Sequence, residues 1–327
     1  MSEYKGIKGF SIQSLSADPA DPNIGQVWYN STSSSWKVTS VTTAGAWATG
    51  GNMNTARSGL GGAGTQTEAL TFGGYPAPVV GAATEEYDGT SWANSNNLNT
   101  ARGFLAGAGI QTAALAFGGD APPLTAATEE YNGSTWTTVN SLNTARNYLG
   151  GAGTQTAGLA FGGSIPPYTG ATEEYDGTSW ATSPGSLNTA RGFLAGAGIQ
   201  TAALAFGGFV PPDTGATEEY NGATWTSNPT GLNTARNGLA GAGTQTAGLA
   251  FGGIVPPSTY QTATEEYNGS TWTTSPASLA TARSYLAGAG TQASALGFGG
   301  ENPGGNTGAT EEFTGPGAAV TKTITVS

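Results

Sequence analysis

The 327-residue sequence predicts an all-β fold, a six-bladed β-propeller with four antiparallel strands in each blade. Three observations support this prediction. A unit of about 45 residues recurs six times, which is typical of propeller repeats. Each unit contains four short segments separated by turn residues. The chain also has 54 Gly and 17 Pro, residues that interrupt helices, so a helical protein is disfavoured.

Four independent markers define the repeat. Gly-Gly pairs end a hydrophobic run at 73–74, 118–119, 162–163, 207–208, 252–253 and 299–300. An Arg preceded by Thr-Ala recurs as Arg57, Arg102, Arg146, Arg191, Arg236 and Arg283. A Trp recurs as Trp47, Trp92, Trp136, Trp180, Trp225 and Trp272. A Glu-Glu-aromatic triplet ends at Tyr87, Tyr131, Tyr175, Tyr220, Tyr267 and Phe313.

The second repeat illustrates the four predicted strands. They lie in GFLAGAG (103–109), AALAFGG (113–119), ATEEYNG (127–133) and the segment around STW (134–136). The Tyr-Asn-Gly turn between the last two is a strong hairpin signal. The Gly- and Ala-rich first strand suits the crowded centre of a propeller, and the Trp strand suits its rim. We expect Leu105, Leu115, Phe117 and their counterparts to fill the space between blades.

The ends of the repeat region predict how the propeller closes. Segment 44–50 contains Trp47 ten residues before Arg57, the spacing that also separates Trp92 from Arg102. It therefore reads as an outer strand with no preceding three strands. The last repeat reaches Phe313 but lacks a Trp. We expect the N-terminal strand to complete the sixth blade.

Composition excludes several classes of function. The chain has no His and no Cys, so disulfides, thiol nucleophiles, His-based dyads and most transition-metal sites are ruled out. The net charge is −11, and residues 44–315 carry six positive and 18 negative charges. An acidic body without clustered Lys and Arg does not suit nucleic acid or anionic membranes. We expect no cofactor, no metal, no membrane insertion and no signal peptide, since no long apolar segment is present.

The recurrent Arg and Glu residues predict structural braces. A buried Arg needs a carboxylate partner, because an unpaired buried charge costs several kcal/mol. Adjacent strand residues point to opposite sides of a sheet, so the two Glu of one pair cannot act together on a substrate, and no catalytic residue is assigned. The candidate brace residues are the six Arg and the second Glu of each pair, namely Glu86, Glu130, Glu174, Glu219, Glu266 and Glu312, and which Glu of each pair meets the Arg stays open.

Binding residues are predicted where the repeats differ. The segments after Gly-Gly vary and are rich in Pro, whereas the two turns at the other end of each unit hardly change. These segments offer aromatic surfaces for stacking and carboxylates as acceptors, which suits sugar rings or a protein surface. The candidate ligand-binding residues are Tyr75, Asp120, Tyr168, Phe209, Asp213, Tyr260 and Glu301.

The repeat resembles the kelch family. Gly118, Gly119, Tyr131, Trp136 and Arg146 match the family pattern of Gly-Gly, Tyr, Trp and a following Arg, over about 270 residues of such repeats. The resemblance implies a kelch-type propeller. The copper of kelch-type oxidases is held by His, Tyr and Cys, and the absence of His and Cys separates this chain from them.

The flanking segments resemble those of kelch-bearing tail-fibre or virion proteins of tailed bacteriophages. The similarity lies in GQVWYNSTSSSWKVTS (25–40), GAWATGGNMNTAR (45–57) and EEFTGPGAAVTKTITVS (311–327). The repeat markers place the propeller at 44–315, which leaves an N-terminal segment with a small hairpin at 1–43, interpreted as an attachment segment, and a C-terminal strand at 316–327. We expect the two ends to pack together and join other virion proteins.

The sequence thus predicts a non-enzymatic virion protein that displays its variable loops for attachment to a host glycan or host protein. A glycan-degrading tail enzyme that uses Asp120, Asp213 or Glu301 is one alternative. A purely structural virion spacer is another, and self-association as a homo-oligomer stays open.

Overall fold

A computed structural model describes residues 13–19, 25–41, 44–317 and 319–324. All regular structure in these residues is β-strand, which confirms the all-β prediction. The chain divides into two compact units, one comprising residues 1–45 with 315–327 and the other Ala46–Thr314. The predicted attachment segment 1–43 lies partly outside the described residues.

The unit formed by the chain ends, here called the terminal unit, contains one four-stranded sheet in the order β1-β2-β3-β32. Its strands are β1 (Gln13–Leu15), β2 (Val27–Asn30), β3 (Ser35–Val41) and β32 (Ala319–Ile324). Strands β2 and β3 form the hairpin expected at 27–38, and β32 pairs antiparallel with β3. The two ends of the chain are therefore joined by backbone hydrogen bonds.

The other unit, here called the repeat unit, contains six four-stranded antiparallel sheets. We number them sheets 1 to 6. Sheet 1 has β5 (Gly61–Gly64), β6 (Ala69–Phe72), β7 (Thr84–Tyr87) and β8 (Trp92–Ser95). Sheet 2 has β9 (Ala106–Ile110), β10 (Ala113–Phe117), β11 (Thr128–Tyr131) and β12 (Trp136–Val139). Sheet 3 has β13 (Gly150–Thr154), β14 (Ala157–Phe161), β15 (Thr172–Tyr175) and β16 (Trp180–Thr182).

The second half of the repeat unit follows the same plan. Sheet 4 has β17 (Ala195–Ile199), β18 (Ala202–Phe206), β19 (Thr217–Tyr220) and β20 (Trp225–Asn228). Sheet 5 has β21 (Ala240–Gly243), β22 (Gly248–Phe251), β25 (Ala263–Tyr267) and β26 (Trp272–Ser278). Sheet 6 has β27 (Ala287–Gly290), β28 (Ser294–Phe298), β31 (Thr310–Thr314) and, from the start of the unit, β4 (Ala46–Thr49). Two small hairpins complete it, β23 (Ile254–Val255) with β24 (Thr259–Tyr260) and β29 (Glu301–Asn302) with β30 (Gly305–Asn306).

The first strands of the sheets pack against one another at short range. Strands β5, β9, β13, β17, β21 and β27 each contact the next, and β27 also contacts β5. A Cβ added at Gly107 would lie 2.6 Å from the carbonyl oxygen of Gly62 in the neighbouring sheet. Since real Cβ atoms do not approach so closely, Gly is required where these strands meet.

Apolar side chains fill the space between successive sheets. Leu70 and Phe72 of sheet 1 pack with Leu105, Tyr131 and Trp136 of sheet 2. Clusters of the same composition lie between the other sheets, including one that joins sheet 6 to sheet 1. Leu115 and Phe117 are fully buried, as expected for positions between sheets.

Candidate binding site on the loop face

Each recurrent Arg forms a buried ion pair, but its partner is the first Glu of the pair. The brace residue named in the second position, represented by Glu130, is therefore corrected: Arg102 pairs with Glu129, and both side chains are fully buried. The Nη–Oε distances are 2.8 Å for Arg57–Glu85, 3.2 Å for Arg102–Glu129, 3.1 Å for Arg146–Glu173, 2.5 Å for Arg191–Glu218, 3.2 Å for Arg236–Glu265 and 3.1 Å for Arg283–Glu311. Neighbouring strand residues point to opposite sides, and the first Glu is on the side of the Arg.

The first Glu also fixes the loop that leads into its sheet. The backbone N–H groups of Asn99 and Thr100 donate to Glu129, at 2.6 and 3.2 Å. Burial lowers the pKa of Arg102 to about 10, and the charge of Glu129 opposes that change. The braces are therefore structural parts of every sheet.

The second Glu binds a phenol of the next sheet. Tyr175 donates to Glu130 at 2.8 Å. The other contacts of this kind are Tyr87 to Glu312, Tyr131 to Glu86, Tyr220 to Glu174 and Tyr267 to Glu219. The sixth is missing, because Phe313 stands where a Tyr would face Glu266. Glu86, Glu130, Glu174, Glu219, Glu266 and Glu312, named as brace residues, thus serve a different role or, at Glu266, lack this partner.

Two further contacts join each sheet to the one before it. Gln111 donates from its side-chain amide to the carbonyl oxygens of Ala69 and Tyr87, at 3.0 and 2.7 Å. Trp136 donates from its indole N–H to Thr84 at 3.0 Å. Equivalent Gln and Trp contacts recur at every junction, including that between sheets 6 and 1. Sequence reasoning missed the Gln, although the unvarying turn that carries it was a signal.

All of these contacts hold the sheets together and recur in nearly every repeat. The candidate binding site is therefore sought in the segments that vary between repeats. We call the end of the sheets that carries the connections between second and third strands the loop face. Here a hollow of about 90 Å³ lies where the six first strands begin. Six Leu line it, together with the residue that stands two positions after each recurrent Arg. These six residues are Gly59, Phe104, Tyr148, Phe193, Gly238 and Tyr285. We call it the axial hollow.

A closed cycle of backbone hydrogen bonds surrounds the axial hollow. The N–H of each of the six residues donates to the carbonyl oxygen of its counterpart in the preceding sheet. The cycle runs from Phe104 to Gly59 and, at the junction of the first and last sheets, from Gly59 to Tyr285 at 2.8 Å. All six residues have positive φ, between 50° and 60°. Phe and Tyr rarely adopt this conformation, and residues that do so are concentrated at functional sites.

Four aromatic rings occupy the hollow, and two glycines make room for them. Tyr148 stacks on Phe193 with ring centroids 3.7 Å apart, and Phe104 lies 4.4 Å from Tyr148. The ring centroid of Tyr285 lies 5.6 Å from that of Phe104 and 5.9 Å from that of Phe193. A Cβ on Gly59 would lie 2.7 Å from the ring of Phe104. These rings are not among the predicted binding residues, which come only from the variable segments after Gly-Gly, although four of the six repeats carry Phe or Tyr here.

The seven predicted binding residues lie around this hollow or beside it, and all are partly buried rather than freely exposed. Tyr75 and Asp120 form antiparallel bridges with the residues just before the hollow, and the Tyr75 hydroxyl donates to Asp120 at 2.7 Å. The Tyr260 hydroxyl donates to Glu301 at 3.1 Å. The rings of Tyr168 and Phe209 meet edge to face at 5.7 Å.

Asp213 differs from the other two carboxylates of the loop face. Its Oδ1 accepts from Asn237 at 2.8 Å, whereas its Oδ2 is buried without a hydrogen-bond partner. Burial raises the pKa of Asp213. Asp120, Glu301 and Asp213 each accept one side-chain hydrogen bond, but only Asp213 has a second oxygen that is buried without a partner.

The electrostatic field of the loop face is negative. Burial, followed by the charge of Glu301 and smaller contributions that include Asp213, raises the pKa of Tyr285 to about 12. Burial and then Asp120 raise the pKa of Tyr148. Residues 46–314 are all described, and their six Arg are all buried in the ion pairs. No cation of the repeat unit therefore neutralises the three carboxylates of the loop face.

Among the described residues, no helix could cross a membrane, and no group of three or more His, Cys, Asp or Glu residues could hold a metal ion.

No protein-family model matches the chain, and no curated protein does. Among solved structures, 341 chains match. One is the structure of YjhT, with a TM-score of 0.68 and 14% sequence identity over 83% of this chain and 99% of YjhT. At this identity the likeness concerns the fold alone, and with the repeated four-stranded sheets it fits a β-propeller.

Proposed function

We propose that this protein is a non-enzymatic virion component, a tail-fibre or appendage protein of a tailed bacteriophage, whose kelch-type propeller attaches to a glycan on the host surface through the loop face. The observation that carries the binding proposal is the axial hollow. It combines four aromatic rings with nearby carboxylates on the face where the repeats differ most. Concave sites of this composition suit ligands that need stacking surfaces and a few oriented polar contacts.

The proposal includes six blades and closure by the N-terminal strand. The supporting contacts are the pairing of Trp47 with Phe313 across β4 and β31 and the cycle of hydrogen bonds around the hollow. Deleting residues 1–40 should leave the repeat unit folded, because β4 remains. Deleting residues 1–50 should lower the melting temperature sharply, because the third strand of sheet 6 loses its partner. Equal melting temperatures would contradict closure by this strand.

Attachment is tested with the purified chain and a panel of bacterial strains. We expect saturable adsorption to at least one strain. Replacing Tyr148 and Phe193 by Leu removes the stacked pair and should weaken adsorption at least tenfold, while a thermal melt reports whether the frame is intact. The control is Asp176→Asn in a turn at the opposite end of sheet 3, where sheets 2, 4 and 5 carry Asn132, Asn221 and Asn268. Equal loss in the control would contradict binding through the loop face.

One observation favours a second function, a glycan-degrading tail enzyme. The raised pKa and unpartnered Oδ2 of Asp213 are features of a general acid. That function predicts release of reducing ends from a host polysaccharide by the purified chain, and its loss in Asp213→Asn. The proposed attachment function predicts no release with either protein.

The terminal unit is the proposed connection to other virion proteins. Its β32 and β3 pair over six positions, from Trp36 with Ile324 to Val41 with Ala319. When the chain lacking residues 1–40 replaces the full chain during assembly, the virions should not contain it, although its repeat unit still folds. Incorporation of the truncated chain would place the connection elsewhere, and incorporation without any host binding would favour a purely structural spacer.

A further inference from the structure

We infer that the axial hollow binds an ammonium group, supplied by an unacetylated amino sugar of the host-surface glycan. This inference deepens the proposed attachment function and rests on it. Its basis is the composition of the hollow and its rim, where aromatic faces and carboxylates occur together and the cations of the repeat unit are all engaged elsewhere.

The aromatic rings of the hollow can attract a cation. Phe104, Tyr148, Phe193 and Tyr285 line the hollow together with apolar Leu side chains. The face of an aromatic ring carries negative charge density and attracts a cation placed over it. The centroids of contacting rings lie 3.7–5.9 Å apart, so a cation at the mouth of the hollow would interact with more than one ring.

The charge distribution of the repeat unit also favours a cation. Of the 18 acids in Ala46–Thr314, six pair with Arg and six are the second Glu of each pair. Three more, Glu68, Asp88 and Asp176, lie in turns at the opposite end of the sheets. The remaining three are Asp120, Asp213 and Glu301 on the loop face. Two of them accept a Tyr hydroxyl, and Asp213 keeps a buried oxygen without a partner.

The hollow is small, about 90 Å³. The ammonium group is the smallest charged part of an amino sugar, and we place it in the hollow with the sugar ring at the mouth. The partly buried rings of Tyr75, Tyr168, Phe209 and Tyr260 lie nearby on the same face and offer stacking surfaces to the sugar. An acetylated amine would be both larger and neutral, so it should bind much more weakly.

The direct test is calorimetric titration of the full chain with the hexamer of β-1,4-linked glucosamine and with its fully N-acetylated counterpart. We expect the glucosamine hexamer to bind at least about tenfold more tightly, which is about 1.4 kcal/mol, and to weaken as salt is raised. Equal binding of the two hexamers, or no binding of either, would overturn the inference. Pentalysine binding as tightly as the glucosamine hexamer would overturn the assignment of the ammonium group to a sugar.

A double variant, Asp213→Asn with Glu301→Gln, tests the role of the carboxylates. Both amides keep an oxygen that can accept the existing hydrogen bonds from Asn237 and Tyr260, so folding should persist. We expect at least a tenfold loss of affinity for the glucosamine hexamer, with Asp176→Asn as the matched control. An unchanged affinity would overturn the inference, and the hexamer comparison on the unaltered chain decides it if the variant does not fold.

Host adsorption separates this inference from the attachment function. The panel of strains is assayed before and after acetylation of surface amines with acetic anhydride. Loss of adsorption after acetylation supports both proposals. Undiminished adsorption overturns the ammonium inference and leaves attachment intact. Adsorption to no strain, together with tight binding of the glucosamine hexamer, overturns attachment and leaves the ammonium site.

Discussion

Two adjacent carboxylates of the same strand should differ strongly in their contribution to stability. Glu129 is fully buried and interacts with the Arg102 guanidinium and with two backbone N–H groups. Glu130 is partly exposed and accepts the Tyr175 hydroxyl. Replacing each Glu by Gln changes the charge equally and preserves the size, so the pair of variants isolates the environment of each side chain.

The expected magnitudes follow from these contacts. Glu129→Gln leaves the buried charge of Arg102 without a counter-charge and turns an amide N–H₂ toward a backbone donor, which should cost about 3–5 kcal/mol. Glu130→Gln keeps an acceptor for Tyr175 and should cost about 1 kcal/mol or less. At roughly 2 °C for each kcal/mol in a domain of this size, the melting temperature should fall by roughly 6–10 °C for Glu129→Gln and by about 2 °C for Glu130→Gln.

Differential scanning calorimetry of both variants at neutral pH measures this difference, and urea unfolding gives an independent free energy. Glu85→Gln and Glu86→Gln in sheet 1 form a second matched pair with the same contacts. Equal destabilisation by the two variants of a pair would show that the two carboxylates do not differ in their contribution to stability. A larger effect at the second Glu would favour that residue as the brace.

Three further predictions concern the junctions between sheets. Phe313→Tyr supplies the phenol that Glu266 lacks and should raise the melting temperature by about 1–3 °C, because one added hydrogen bond contributes about 0.5–1.5 kcal/mol. Tyr175→Phe removes such a bond and should lower the melting temperature by a similar amount. A lower melting temperature in both variants would contradict this role of the Tyr–Glu contact. Gln155→Ala removes the donor to two carbonyl groups of sheet 2 and should lower the free energy of unfolding by about 1–3 kcal/mol. Urea unfolding measures this change, and a change within error of zero would show that the contact is dispensable. Burial and then Glu86 raise the pKa of Tyr131 from 10.0 to about 12. The stability that the protonated Tyr131 contributes is therefore complete below pH 10 and is lost as the pH rises through about 12. Melting temperatures and tyrosinate absorbance across this range test this pH dependence, and titration of all tyrosines near pH 10 without unfolding would contradict it.

The repeat unit was predictable because its markers recur with the fold. The Gly-Gly pairs, the Trp and the hairpin turns each report a local backbone requirement, and six copies remove the ambiguity of any single one. The pairing of β4 with β31 was also predictable, since Trp47 keeps the spacing of the other outer strands.

The candidate site was only partly predictable. The seven variable-loop residues lie on the expected face, but most of them contact each other, as in the pair Tyr75 and Asp120. The four rings of the axial hollow were missed. The recurrence of Phe or Tyr two positions after the Arg marks these positions, but their conformation at positive φ and their convergence from four different sheets are consequences of long-range packing.

The all-β class, the repeat, the positions of the turns and the face on which variation is concentrated follow from the sequence alone, because each depends on residues close together in the chain. The partner of every charge depends instead on how the sheets pack. Strand alternation requires that Glu129 and Glu130 point to opposite sides, but only the packed neighbours show that one side holds Arg102 and the other Tyr175. The net charge of −12 on the repeat unit is explained in the same way: its carboxylates face guanidinium groups, phenols or solvent according to contacts between distant residues.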